Sequence, residues 1–388
     1  MNTVNSQRRK LLQYGLLGLG AFIGNNWLPA YVNAAPKSLA RLGELQAADH
    51  NGIRLPPGFT SRIVAHSGKT QFGYTWHAAP DGGATFATQN GGWIYVSNSE
   101  VDNKAGGVGA LRFNPHGEIV SAYSLLNHTH RNCAGGSTPW GTWLSCEEIE
   151  KGRVWECDPY GNKAGQIRNA LGLFRHEAVA VDTRKKQLYL TEDEPDGCLY
   201  RYTAHSFDTK GNPSLNDGVL EVAEVLDGNI GAVRWHTLPD PLATTTPTRK
   251  QIAHCTRFNG GEGIWYHQGV IYFSTKGDDR IWAYHVRDSK LSIIYNAALF
   301  VHPVLSGVDN ITGNATGELL VAEDKGNMQI VALTAGKIVP ILQIVGHNSS
   351  EITGPAFSPD GSRLYFSSQR GKTGHIEDGI TFEITGPF

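Results

Sequence analysis

The sequence predicts an all-β fold, a six-bladed β-propeller with an inserted segment after the third recognisable hairpin. Three observations predict it: strand–turn–strand segments recur, their ends fall at a near-constant period, and no helical 3.6-residue period competes in them. The clearest segment covers 132–148, Asn-Cys-Ala-Gly-Gly-Ser-Thr-Pro-Trp-Gly-Thr-Trp-Leu-Ser-Cys-Glu-Glu. Ser137 to Gly141 carries turn chemistry and Thr142 to Ser145 alternates as a strand does, so Cys133 and Glu147 lie together at the open end of a hairpin.

The same design joins Glu177 to Glu192, Glu262 to Lys276 and Asp309 to Glu323, with a blander copy from Gly354 to Gln369 and a worn first copy ending at Glu100. The anchors are therefore 100, 147, 192, 276, 323 and 369, with successive gaps of 47, 45, 84, 47 and 46. Propeller blades run about 40–45 residues with four strands each, so one gap holds an extra segment of roughly forty residues. That segment, about 203–249, reads as irregular loop because of its Asp-Pro-Leu-Ala-Thr-Thr-Thr-Pro-Thr run. The early Phe59 to Val64 and the late Ile380 to Ile384 are expected to share a blade and close the ring.

In a propeller, equivalent strands surround one axis, which brings Cys133, Glu147, Glu177, Glu192, Glu262, Asp309 and Glu323 to one end of the channel. So many carboxylates do not stay ionised together without counter-charge. Bound cations provide it: calcium takes six to eight oxygens, and a thiolate calls for a softer metal such as iron or zinc. The pattern predicts a polynuclear metal site. His128, His130 and Cys133 look zinc-like, but no second ligand pair follows at structural-zinc spacing. In Glu147-Glu148, Glu192-Asp193 and Glu323-Asp324, adjacent strand residues point to opposite faces, so one of each pair is expected at the axis unless a bulge re-aims the other.

A formal net charge of −2 offers no field suited to nucleic acid or anionic lipid. Forty-six glycines and 10% aromatic residues suit tight turns and stacked sheets. Residues 1–35 read as a Tat signal peptide: Gln7-Arg-Arg-Lys-Leu-Leu, an apolar run from Leu11 to Ile23 too short to span a bilayer, then Val32-Asn33-Ala34 as a cleavage site. Residues 36–388 are expected to be a single propeller domain, periplasmic or secreted, with the Tat export machinery as partner and no stable membrane insertion. Of five cysteines, Cys146 with Cys157 and Cys198 with Cys255 are candidate pairs, which leaves Cys133 as the odd thiol.

Asn132-Cys-Ala-Gly-Gly, Pro139-Trp-Gly-Thr-Trp-Leu-Ser-Cys-Glu-Glu, His176-Glu177, Leu190-Thr-Glu-Asp193, Glu262-Gly263, Asp309-Asn310-Ile311 and the closing Gly379-Ile-Thr-Phe-Glu-Ile-Thr-Gly-Pro-Phe388 resemble the PhoX-type alkaline phosphatases. The resemblance runs from about residue 50 onward. It implies a Tat-exported six-bladed propeller that holds Fe3+ and Ca2+ and hydrolyses small phosphomonoesters. It further implies Cys133, Glu177 and Glu262 as iron-side ligands. Glu100, Glu147, Glu148, Glu192, Asp193, Asp309, Asn310, Glu323 and Asp324 would complete the carboxylate and amide shell. Members of the family carry an arginine just ahead of the glutamate matching Glu262, whereas Gly260-Gly261 stand here. Arg257 is the nearest arginine and Lys276 the alternative positive charge, so Glu262, Lys276 and Arg257 are the expected catalytic group. Two other readings fit the pattern: a non-catalytic, calcium-stabilised binding module, and a lactonase-like calcium hydrolase.

Overall fold

The computed structural model describes residues 38–388; residues 1–35, expected to be a Tat signal peptide, lie outside them. The described residues form an all-β, propeller-like ring of antiparallel sheets. The first sheet runs outward as Pro80–Ala87, Trp93–Ser99, Gly106–Phe113 and Ile119–Thr129, and the second as Asn132–Ser137, Trp143–Glu147, Val154–Cys157 and Gln166–Ile167. The Val308–Gly313 strand opens a five-stranded sheet, and Ile352–Phe357 opens another of four.

Instead of six separate sheets, one sheet of nine strands stands where two blades were expected. It starts at His176–Asp182, runs outward to Gly231–Thr237, and returns from Lys290–Asn296 to Gly261–His267. The seam is a short pairing of Gly231 with Leu291 and Ala232 with Lys290. The extra segment makes this seam. It is not irregular throughout, because Gly218–Val225 and Gly231–Thr237 are full strands within it.

Six strands line the axis, and each packs against the next around the ring: Pro80–Ala87, Asn132–Ser137, His176–Asp182, Gly261–His267, Val308–Gly313 and Ile352–Phe357. The strands that follow them are buried on both faces, as in Trp93–Ser99 and Leu319–Glu323, because each sheet is covered by its neighbours. Apolar clusters accordingly sit between sheets: Leu320, Ile330, Leu342, Leu364 and Phe382 join the last two, and Ile281, Tyr295, Leu319 and Val331 join the pair before.

Both early strands stitch onto late sheets. Thr60–His66 pairs with Ile380–Thr385, as the patterning of 59–64 and 380–384 predicted, and Ile53–Arg54 pairs with Lys337–Ile344. These pairings cover two edges that would otherwise be open.

Candidate metal centre

Every axial strand breaks register with its partner at the same place. The breaks fall between Pro80 and Gly83, His176 and Val179, Gly261 and Ile264, Val308 and Ile311, and Thr353 and Ala356; on the second sheet the partner strand records the break between Ser145 and Glu147. A bulge of this kind kinks the strand and re-aims a side chain. The residues in the kinks are Asp81-Gly82, Cys133-Ala134, Glu177-Ala178, Glu262-Gly263, Asp309-Asn310 and Gly354-Pro355.

The first residue of each pair lines a cavity of about 190 Å³ on the axis, except at Gly354. The second is small in four of the six pairs, Asn310 and Pro355 being the exceptions, and at both glycines the backbone of the next blade lies against it. A Cβ on Gly263 would stand 2.3 Å from the Ile311 nitrogen, and one on Gly82 would stand 2.5 Å from the Ala134 Cα. These small residues form the floor between the acidic cavity and the remaining axial channel, of about 400 Å³, on the other side.

A second tier comes from the ends of the neighbouring strands. Glu100, Glu148, Asp193, Lys276, Asp324 and Gln369 each follow directly on the strand next outward, and all but Gln369 line the cavity. Glu351, Arg131 and Arg370 complete the wall. Nine carboxylates and a thiol thus face three cationic side chains.

Contacts within the cage are close. The Cys133 Sγ lies 3.3 Å from Glu177 Oε1 and 3.8 Å from Asp81 Oδ2. Candidate ligand atoms fall within 4.8 Å of one another in four overlapping groups. They are Asp81–Glu100–Cys133, Cys133–Glu148–Glu177, Glu177–Glu262–Asp309 and Asp309–Asp324–Glu351. Arg131 bridges Glu100 and Glu148 at 2.6 and 2.8 Å, and Lys276 Nζ sits 2.8 Å from Glu262 and 3.6 Å from Asp324.

Packed against one another, most of these groups favour protonation. Burial, reinforced by neighbouring carboxylates, pushes Asp81, Glu177 and Glu351 well above the usual carboxylate range. Burial also pushes Glu262 up, against the pull of Lys276, and raises the Cys133 thiol. Glu148 reaches about 8 and Asp309 about 6, burial again being the main cause. Glu100 moves the other way: burial raises it, but the Arg131 charge and the hydrogen bonds with Arg131, Glu148 and Gln369 together outweigh the burial. Asp81 Oδ1 and Glu177 Oε2 are buried with no hydrogen-bond partner among the described residues. Buried polar atoms are normally paired, so two orphaned carboxylate oxygens beside a thiol fit a bound cation.

The predicted residues divide into two sets. Cys133, Glu177, Glu262, Asp309, Glu100, Glu148, Asp193, Asp324 and Lys276 come together in the cavity. Glu147, Glu192 and Glu323 do not: each is the last residue of its strand and turns away to bind backbone N–H groups. Glu147 accepts from His130 and Arg153, Glu192 from Cys198, and Glu323 from Ser306 and Gln329. Asn310 is likewise occupied, accepting from the Gly354 N–H and donating to Asp309, and it lines the opposite channel. Arg257 is turned outward, onto the Arg249 and Asp196 carbonyls and the Cys198 sulfur. Asp81, Glu351, Arg131 and Arg370 were not foreseen.

All five cysteines are free. Cys146 faces Val154 and Cys157 faces Trp143, three residues apart along the ladder, or roughly 10 Å, beyond the reach of a disulfide. The Cys198 and Cys255 sulfurs are 3.5 Å apart and unbonded. His128 is exposed and His130 pairs with Asp102 at 3.1 Å, so neither joins Cys133.

A ring of sheets whose axis ends in a bulge-built acid and thiol cage defines a propeller-like protein with a candidate metal centre. The sequence profile of the family described as Alkaline phosphatase PhoX matches residues 76–166 and 150–294, more than half of the chain, and the chain belongs to that family. Membership carries the enzyme class, a phosphoric monoester hydrolase. The solved structure of Pseudomonas fluorescens PhoX in complex with vanadate, a transition state analogue, aligns with TM-score 0.74 at 17% identity, over 89% of this chain and 98% of that one. A protein of unknown function from Bacteroides thetaiotaomicron VPI-5482 aligns with TM-score 0.52 at 8% identity, over 84% and 76%. At these identities the structural likeness shows the fold. No curated protein matches at the sequence level.

Proposed function

We propose that the chain is an exported phosphomonoesterase whose axial cage holds iron (Fe3+) and calcium (Ca2+), on a propeller of six repeats. The observation that carries this reading is the repeated bulge, which aims Asp81, Cys133, Glu177, Glu262 and Asp309 at one point. The thiol end of the cage, with Asp81, Glu148 and Glu177 beside Cys133, suits iron. The all-oxygen end, with Asp309, Asp324 and Glu351, suits calcium. When bound, the cations supply Lewis-acid polarisation of the phosphoryl group and neutralise charge on the leaving oxygen.

The chain's own residues bind and orient the substrate. Arg131, Lys276 and Arg370 stand on three sides of an otherwise acidic cavity and are the groups that draw a phosphate dianion into it. Lys276 takes the place of the arginine missing at Gly260-Gly261, where Gly260 has a φ of +67° and a Cβ on Gly261 would approach Glu192 O at 3.1 Å. Glu262 fixes the Lys276 ammonium at 2.8 Å. Arg131 and Arg370 are braced by Glu100 with Glu148 and by Glu351. The small residues of the floor seal the reaction space from the far channel.

Turnover of p-nitrophenyl phosphate before and after metal removal tests the reading, together with elemental analysis of natively exported protein. Iron and calcium in the isolated protein, with activity restored by both, is the expected result. Calcium without iron and no turnover on a phosphoester panel would replace it with the binding module. Export rests on the arginine pair, apolar run and small-residue site within residues 7–34. Replacing Arg8 and Arg9 with lysine should retain the protein in the cytoplasm, and undiminished export would overturn that part.

A further inference from the structure

We propose that Glu224, His236 and His254 form a second metal site, on the outer surface of the seam segment, for a borderline divalent cation of the zinc class. Their candidate ligand atoms all lie within 4.8 Å of one another, and none of the three residues lines the axial cavity. The residues come from three backbone segments. Glu224 is on the Gly218–Val225 strand, His236 is on the Gly231–Thr237 strand beside it, and His254 is on the loop that returns toward the axis.

The geometry is fixed by the backbone. In the strand pair Glu224 faces Arg234 and Val222 faces His236, which puts Glu224 and His236 diagonally on one face. The loop is docked two residues beyond His254, where the Thr256 N–H donates to Ala223 O and the Thr256 hydroxyl accepts from the Val225 N–H. His254 therefore stands over the same face, with its ring edge-on to that of His236 at 4.6 Å between centroids. Glu224 Oε2 lies 2.8 Å from His236 Nε2 and 3.4 Å from Arg234 Nη1.

Two imidazoles and one carboxylate are a ligand set used for zinc with one position left open, and His254 is exposed, so a cation and its water can enter from solvent. Bound there, the cation would tie the 238–256 loop to the seam sheet. The axial cage, by contrast, offers carboxylate oxygens and a thiol as donors.

That difference supplies the test. The wall of the axial cavity contains no histidine, so imidazole nitrogen coupled to bound copper reports this site and not the cage. Metal-loaded protein receives one equivalent of Cu2+ and is examined by electron paramagnetic resonance. The expected spectrum shows splitting from two nitrogens, is lost in His236→Ala and in His254→Ala, and is displaced by excess Zn2+. Both variants should turn over p-nitrophenyl phosphate as the parent does, which verifies their fold, and Glu224→Gln should weaken Zn2+ binding about 10–100-fold. Absence of nitrogen coupling in the parent protein, or its survival in either histidine variant, would overturn the proposal.

Discussion

Removal of the axial cations should make stability fall as pH rises. In the cation-free cage Asp309 is raised from 3.8 to about 6, burial being opposed by Lys276 and reinforced by Asp324. Glu148 is raised from 4.5 to about 8 by burial and the Glu100 charge, against Arg131. Asp81, Glu177, Glu262 and Glu351 move in the same direction. A carboxyl whose pKa is higher folded than unfolded contributes fully below the unfolded value and loses that contribution as pH climbs through the folded one. For Asp309 alone the loss is ~3 kcal/mol between roughly pH 4 and 7, and Glu148 extends the window to about pH 8–9. Cations bind the deprotonated oxygens and reverse the penalty. Calorimetric melting at pH 5 and pH 8, with and without chelator treatment, reads the effect. The stripped protein's midpoint should fall by at least ~5 °C between the two while the loaded protein's holds within ~2 °C. A stripped midpoint that is flat or rises with pH, or that follows the loaded one, would refute the claim that cations hold these acids together.

Three further outcomes follow from the same geometry. Glu148→Gln should deplete the site of metal and lower phosphatase turnover by about 10–100-fold or more, whereas Glu147→Gln should keep the metal and cost about 1–3 kcal/mol of stability through its His130 and Arg153 amides; elemental analysis and denaturant melts separate them. Lys276→Met should lower kcat/KM for p-nitrophenyl phosphate by about 10-fold or more, while Arg257→Ala, directed away from the cavity, should stay within about twofold. Gly263→Ala should destabilise by about 1–3 kcal/mol or more and reduce metal content, because its Cβ would stand 2.3 Å from the Ile311 nitrogen.

The period in the sequence located the hairpins and the end of the ring that carries the chemistry, but it left the last step of aim open. Anchors at 100, 276 and 369 sit just past their strands, whereas those at 147, 192 and 323 fall one residue short. Where two acids are adjacent, the pattern does not tell which one ends the strand and caps backbone amides and which one reaches the axis. Asp81 escaped notice because Pro80-Asp-Gly-Gly reads as turn chemistry, although it is strand. It also lies nineteen residues ahead of Glu100, against fourteen to sixteen between the equivalent pairs elsewhere, because its hairpin is longer. The signal present was a thiol or acid followed by a small residue, as in Cys133-Ala134, Glu177-Ala178 and Glu262-Gly263. Glu351, Arg131 and Arg370 carry no periodic mark; tertiary packing alone recruits them. The proline- and threonine-rich run of the extra segment hid two strands on either side of the tight turn at Gly228, whose φ is +86°.

The stitching of Thr60–His66 onto Ile380–Thr385 has a bearing on how the enzyme is made. Residues of the cage wall are spread from Asp81 to Arg370, and the wall is whole only once the Ile380–Thr385 strand has met Thr60–His66. Until the ring closes, the acids of the cage are scattered between its two ends and do not form one chelator. Capture of cations by the whole cage should therefore be coupled to shutting of the circle, so that whatever loosens this one strand pair also loosens the grip on the ions.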